Sequence, residues 1–449
     1  MKYFWSLTLM LAALVLSAEE LKWADFKFDF KTDKPGAVYK AGETIRFSGN
    51  VQVKNAVPEN MYAYCRILDD AYRTLATKKV KVSAEPIEMS CKLDRPGWVR
   101  MQVEMQDADG KFIRLAKGPY TLTVSGGVGA MTDPEKIRPG AAEPADFDAF
   151  WAQKRAELDK VPVKATRVPF ELGKRWKDYY NCWDIKVDCA GGAPVSGYLC
   201  IPKNAKPKSL PVLVRYHGAG VRSASPVTMY RGVITLDVNA HGIENGKDAA
   251  FYADLAKNGL KDYRHRGKLN RNENYFVGMY LRVMRSLDYV KTLPEWDGKT
   301  LVVFGGSQGG GQSLAAAALD KDVTHCVAGV PAICDHGGVQ AGRVSGWPQF
   351  VSFRNIGKLT DDDKAVLREV AYIDGVNMAR RIKAVTYIGT GFIDTTCVPT
   401  SVFAAYNSIP AGVEKHMTIS PARGHDAPNT KGMDWISAMT KKSFAAEKK

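Results

Sequence analysis

Residues 301–320 read "LVVFGGSQGGGQSLAAAALD", and this stretch decides the fold. Its first four residues are branched or aromatic and read as the end of a buried strand. After Gly311 the residues are good helix formers. Between them lies Gly305-Gly306-Ser307-Gln308-Gly309, a G-x-S-x-G in the strand–turn–helix context that gives the motif its meaning. Such a turn is so sharp that Cβ atoms at the flanking positions would clash, which accounts for the glycines. It lifts one hydroxyl above the sheet, at a helix N-terminus whose free N–H groups favour developing negative charge. Ser307 is therefore the candidate nucleophile, with a glycine-rich turn and an idle serine as the competing reading.

Outward from this stretch, strands alternate with helices. Strand-like runs occur at residues 182–187, 195–201, 211–216, 232–237, 301–304, 326–330, 384–389 and 415–419. Between the fourth and fifth, "YFVGMYLRVMRSLDYVKTL" repeats apolar residues at helical spacing through Tyr280, Val283, Leu287 and Val290. Eight strands with a serine elbow after the fifth predict an α/β-hydrolase fold, a mostly parallel sheet with helices on both faces. The helix "DFDAFWAQKRAELDKV" opens this catalytic domain, taken as residues 145–449, with Asp146 as its expected cap. Residues 19–125 differ. Short alternating segments such as "ETIRFSGNVQV" and "WVRMQVEMQ", split by turn residues, predict a small all-β sandwich, immunoglobulin-like. The Gly- and Pro-rich residues 126–144 read as a linker.

A chain of 449 residues is too long for one core and suits two or three domains. Its net charge of +15 is spread without any basic block, which argues against nucleic acid and for a solvated basic surface. The first 18 residues combine one lysine, an apolar run from Tyr3 to Leu16 and small Ser17 and Ala18, the pattern of a cleaved signal peptide. A secreted or periplasmic protein without membrane insertion is expected. Among eight cysteines, Cys65 and Cys91 are the first candidates for a disulfide. The other six lie mostly in apolar runs, where buried free thiols are the simpler state.

A serine hydroxyl needs a base, and the base needs an orienting carboxylate. In this fold they follow in the order Ser, acid, His. Of seven histidines, His425 in "SPARGHDAP" lies on the loop after the eighth strand, where the base is presented. The loop after the seventh strand, in "AVTYIGTGFIDTTCVP", supplies Asp394 and no other carboxylate. Asp426 is open between a supporting role and facing water. The oxyanion amides fall to Gln308, after the nucleophile, and to Ala219 in Tyr216-His217-Gly218-Ala219-Gly220, after the third strand. His217 is expected to prop that loop. His217, His241 and His336 are candidate pocket residues. No H-E-x-x-H, calcium loop or nucleotide-binding glycine motif occurs, so neither a metal nor a cofactor is expected.

"VMRSLDYVKTLPEWDGKTLVVFGGSQGGGQSLAAAALD", "DFDAFW", "VRYHGAG", "VPAICD", "NMARRIKAVTYIGTGFIDTTCVPTSVFAAYN" and "RGHD" together resemble the acetyl xylan esterases and cephalosporin-C deacetylases of carbohydrate esterase family seven. The resemblance covers roughly residues 145–428. It implies Ser307, Asp394 and His425 as the triad, Gln308 and Ala219 as oxyanion donors, and removal of small acyl groups, acetyl above all, from an acetylated plant polysaccharide or its oligosaccharides. Asn239-Ala240-His241 stands where the family usually has Arg-Gly-Gln, Ala219 replaces an aromatic, and His425-Asp426 replaces His-Glu. These departures bear on acyl size, leaving group and the family's hexameric assembly, hence on any homo-oligomer. Two other readings stay open: a prolyl-oligopeptidase-like serine peptidase, and a carbohydrate-binding protein with an inactive hydrolase domain.

Overall fold

The computed structural model describes residues 21–54, 60–118 and 120–447. The expected signal peptide at residues 1–18 lies outside them. The N-terminal strands are β1 (Phe26–Thr32), β2 (Val38–Tyr39), β3 (Thr44–Val53), β4 (Tyr62–Asp69), β5 (Thr74–Lys81), β6 (Ile87–Lys92), β7 (Gly97–Gln106), β8 (Arg114–Lys117), β9 (Tyr120–Thr123) and β10 (Ser125–Thr132). They form a three-stranded sheet in the order β1-β3-β6, a five-stranded sheet in the order β2-β10-β7-β4-β5, and the hairpin β8-β9. Period-2 patterning does the sorting. In β7, Val99, Met101 and Val103 are fully buried, while Arg100, Gln102 and Glu104 on the other face are half-buried.

The linker expected from residue 126 begins later. Ser125–Thr132, "SGGVGAMT", is a strand paired with β7 along its whole length. Its glycines read as flexibility, but they serve close packing. A Cβ on Gly126 would overlap the Phe28 ring, and one on Gly129 would overlap the Phe392 carbonyl oxygen.

The catalytic half follows as α1 (Phe147–Asp159), β11 (Ala165–Pro169), β12 (Tyr180–Val187), β13 (Val195–Pro202), β14 (Leu210–Tyr216), β15 (Ile234–Val238), α2 (Ala249–Lys257), α3 (Tyr275–Lys291), β16 (Trp296–Gly306), α4 (Gln308–Leu319), β17 (His325–Gly329), α5 (Asp361–Val370), α6 (Gly375–Ala379), β18 (Val385–Gly391), α7 (Pro399–Ser408), β19 (Lys415–Ser420) and α8 (Thr430–Glu447). Its sheet has nine strands rather than eight, in the order β11-β12-β13-β15-β14-β16-β17-β18-β19. β11 is an edge strand whose "ATRVP" is mostly exposed, so it lacks the apolar run that marks the interior strands. By contrast every residue of β13 and β15 is buried. The first three pairings are antiparallel, and from β15 through β19 all are parallel. The carboxyl ends of the parallel strands thus open on one edge, the usual place for a site in such sheets. Asp146 does sit at the N-cap of α1, but its side chain makes no cap bond. It accepts instead from the Tyr372 hydroxyl, tying the helix start to the chain ahead of α6.

All eight cysteines are free, and the expected Cys65–Cys91 pair is not formed: Cys65 is buried on β4 in the five-stranded sheet and Cys91 half-buried on β6 in the three-stranded one. Cys182 and Cys200 face each other across β12 and β13 with their sulfurs 2.8 Å apart. Mild oxidation should therefore crosslink Cys182 to Cys200 first. Peptide mapping without reduction checks this, and a Cys65–Cys91 peptide appearing in its place would refute it.

Candidate active site

Ser307 occupies the turn between β16 and α4 with φ 58° and ψ −123°, a strained conformation for a residue bearing a side chain. Its backbone is held from three sides. Its N–H donates to Gly329 O at 2.9 Å, and its carbonyl accepts from Ala332 and Gly311 at 3.0 and 3.1 Å. A Cβ on Gly305 would stand 2.5 Å from the Tyr216 carbonyl oxygen, and one on Gly309 would overlap the same oxygen. The flanking glycines are thus required by β14, the neighbouring strand.

The Ser307 hydroxyl lies 2.9 Å from Nε2 of His425, and Nδ1 of His425 lies 2.8 Å from Oδ2 of Asp394. The other Asp394 oxygen accepts from the Thr396 and Cys397 amides at 2.8 and 3.0 Å. Asp394 is buried, whereas the His425 side chain is 37% exposed. A carboxylate opposite Nδ1 makes that nitrogen the proton donor, leaving Nε2 as an acceptor facing the serine. The same carboxylate raises the His425 pKa above its ordinary 6.5, outweighing desolvation. Asp426 stays outside this relay. It is exposed, accepts from the Gly424 amide at 3.2 Å and pairs with Arg423 at 3.4 Å.

Gln308 opens α4, and Ala219 sits exposed on the loop after β14. That loop packs against the elbow, since a Cβ on Gly218 would be 3.8 Å from that of Ser307. His217 and His241 brace it. Nε2 of His217 accepts from the Ala240 amide at 3.2 Å, so Nδ1 carries the proton and donates to Gly218 O at 2.8 Å. His241 accepts from the Tyr275 hydroxyl at 2.7 Å and donates from Nε2 to Gly220 O at 3.2 Å. Burial lowers the pKa of both, that of His241 to about 3, so both rings stay neutral. The segment Asn239-Ala240-His241 is therefore a scaffold for the loop bearing Ala219. His336 opens a short 3₁₀ turn in the chain after β17. It is buried with its ring edge against Phe350, and neither ring nitrogen has a partner among the described residues.

Sequence reasoning missed several residues here. Tyr263 donates to Oε1 of Gln308 at 2.7 Å and so anchors the side chain behind that amide. Tyr72 and Trp98, from the N-terminal sheets, reach the turn that carries Asp394. Cys397 lies beside the relay, and its ligand atom falls within 4.8 Å of those of Asp394 and His425. That trio has the residue types of a metal site. However, both His425 nitrogens are already engaged, and burial pushes the Cys397 thiol well above its ordinary range, so it stays protonated. The Tyr263, Tyr72 and Trp98 contacts leave no local pattern in sequence, because each joins segments far apart in the chain.

A mixed nine-stranded sheet with a strained serine at one strand end is the arrangement of the α/β-hydrolase class. The sequence profile described as acetyl xylan esterase (AXE1) matches residues 130–439, and the chain belongs to that family. It is a carboxylic ester hydrolase. The acetyl esterase Axe7A of Xylanibacter ruminicola is 31% identical over 420 residues, covering 90% of this chain and 88% of its own. The acetyl xylan esterase from Paenibacillus sp. R4 superposes with a TM-score of 0.58 at 30% identity, over 68% of this chain and 98% of that one. Acetyl xylan esterase 1 from a Thermoanaerobacterium species shares the fold at 24% identity and a TM-score of 0.57, over 69% of this chain and 97% of that one.

The relay makes a direct prediction about titration. The His425 imidazole should titrate above 6.5 in the intact protein, and Asp394→Asn should bring it down. Imidazole NMR across pH 5–9 checks this, and an unchanged midpoint in the variant would refute the assignment.

Proposed function

We propose that the protein removes acetyl and other small acyl groups from hydroxyls of a plant polysaccharide such as xylan, or of its oligosaccharides, through an acyl-enzyme on Ser307. The observation that carries this reading is the relay of 2.9 and 2.8 Å from the Ser307 hydroxyl through His425 to Asp394. Family membership supports the acetyl ester as substrate.

In this mechanism His425, neutral at Nε2, takes the Ser307 proton as the hydroxyl oxygen attacks the ester carbonyl. Asp394 keeps the imidazole in the tautomer that can do so and stabilises the imidazolium that results. The tetrahedral oxyanion is met by the amides of Gln308 and Ala219. His425 then passes its proton to the departing sugar oxygen, and the acyl group stays on Ser307. Water enters, His425 takes its proton in turn, and acetate leaves. No group beyond these side chains and water is called upon. The 37% exposure of the His425 side chain supports entry of both a bulky sugar and water.

The strand orders β1-β3-β6 and β2-β10-β7-β4-β5 support an immunoglobulin-like sandwich for the N-terminal region. They also weigh against the β-propeller that a prolyl-oligopeptidase-like peptidase would carry. No helix among the described residues is long and apolar enough to cross a membrane. The apolar run from Tyr3 to Leu16, read as a signal peptide, supports work outside the cytoplasm, in the periplasm or medium.

Acetate release from acetylated xylo-oligosaccharides tests the reading. Ser307→Ala should lower kcat on the order of 10⁶-fold without loss of fold. Wild-type kcat/KM should rise with pH through the raised His425 pKa, because only the neutral ring is a base. Cleavage of long-chain aryl esters with none of the acetylated sugar would overturn the substrate and keep the chemistry.

A further inference from the structure

The turn bearing Asp394 is held from outside the hydrolase sheet. Trp98 on β7, fully buried, donates its indole N–H to Phe392 O at 2.7 Å, two residues before the acid. The Tyr72 hydroxyl donates to Thr395 O at 3.3 Å, one residue after it. On β10, Gly129 touches the segments that carry both partners of Ser307. Its N–H donates to Pro421 O at 2.9 Å, in the segment leading to His425, and its missing Cβ makes room for Phe392 O. Acid and base segments are themselves joined by Ile393 N–H to Arg423 O at 3.1 Å.

Tyr72 adds a second observation. It has φ 60°, a conformation that costs a bulky side chain energy. The β4–β5 turn holds it there. The buried carboxylate of Asp69 accepts the Ala71 and Arg73 amides at 2.9 Å each, and the carbonyl of Asp70 receives the Val344 amide at 2.7 Å. A strained tyrosine at a docked turn, aimed at the acid-bearing loop, is built to fix that loop.

We propose that the N-terminal sheets are a positioning element of the active site: Trp98, Tyr72 and Gly129 together set the placement of Asp394 relative to His425. This rests on the proposed Ser307–His425–Asp394 chemistry. It assigns the N-terminal region a part in the reaction itself, distinct from polysaccharide binding or spacing. The three are positioning residues, since none touches Ser307 or the His425 ring. The charged groups acting on His425 are Asp394 and, from its own loop, Asp426.

The test uses the full chain. Trp98→Phe and Tyr72→Phe each remove one hydrogen-bond donor while keeping a ring. If the proposal holds, each lowers kcat for an aryl acetate by about tenfold or more with KM within about twofold, the scale expected of a misplaced catalytic group. The His425 midpoint by NMR falls in both variants, and the acid limb of kcat/KM moves down with it. Melting temperature separates this from unfolding. Unchanged kcat and an unchanged His425 titration in both variants would overturn it. So would a loss of activity that disappears on correcting for the folded fraction. If Trp98→Phe does not fold, Tyr72→Phe, whose ring is not in the deep core, decides alone. If the wild-type protein cleaves no acetyl ester, the functional reading fails, and the His425 titration still decides the positioning role.

Discussion

The left-handed backbone of Ser307 is the constraint on which the rest depends. A side chain at φ 58° is strained, and the surroundings hold it there through its own amide, its own carbonyl and the contact of Gly305 and Gly309 with β14. The strain is local, but its support comes from three strands, β14, β16 and β17, whose carboxyl ends meet at the elbow. Because β14 and the Leu301–Phe304 stretch of β16 are almost wholly buried and β17 is buried at its centre, their positions are set by packing over the whole sheet. A hydroxyl is thereby delivered to one point with little freedom to move, which is what attack on a carbonyl needs.

Around that point the molecule separates neutral from charged imidazoles by environment. His217 and His241 are buried with backbone and phenol partners only, so desolvation keeps them uncharged, and they serve as fixed struts for the Ala219 loop. His425 is the opposite case. It is partly exposed and faces a buried carboxylate, which favours its protonated form. Three histidines near one serine thus divide into two supports and one base, and the division follows from what each ring faces rather than from residue type.

The joint between the two halves carries similar weight. The N-terminal five-stranded sheet lays β7 and β10 against the acid and base segments, with Trp98 among the largest fully buried side chains in the molecule. Apolar residues of both halves belong to one continuous buried cluster, so the first half is packed as part of the interior and not hung from a tether.

Much of this was legible in the sequence. The G-x-S-x-G between an apolar run and an alanine-rich helix located Ser307, since only small neighbours fit a sharp strand-to-helix turn. Chain order then pointed to Asp394 and His425. Period 2 in "WVRMQVEMQ" and the largely apolar runs of β13 to β15 mark the strands, because local patterning records which faces are buried. The edge strand β11 leaves no such record, and the glycines of β10 read as a linker because close approach and flexibility call for the same residue. What only the tertiary structure decided were contacts between distant segments: Trp98 with Phe392, Tyr72 with Thr395, His241 with Gly220, and Cys182 rather than Cys65 beside a second thiol. Each is a single pairing between residues 18 to 323 positions apart, and periodicity, which reports only which way a side chain faces, cannot say what it meets there.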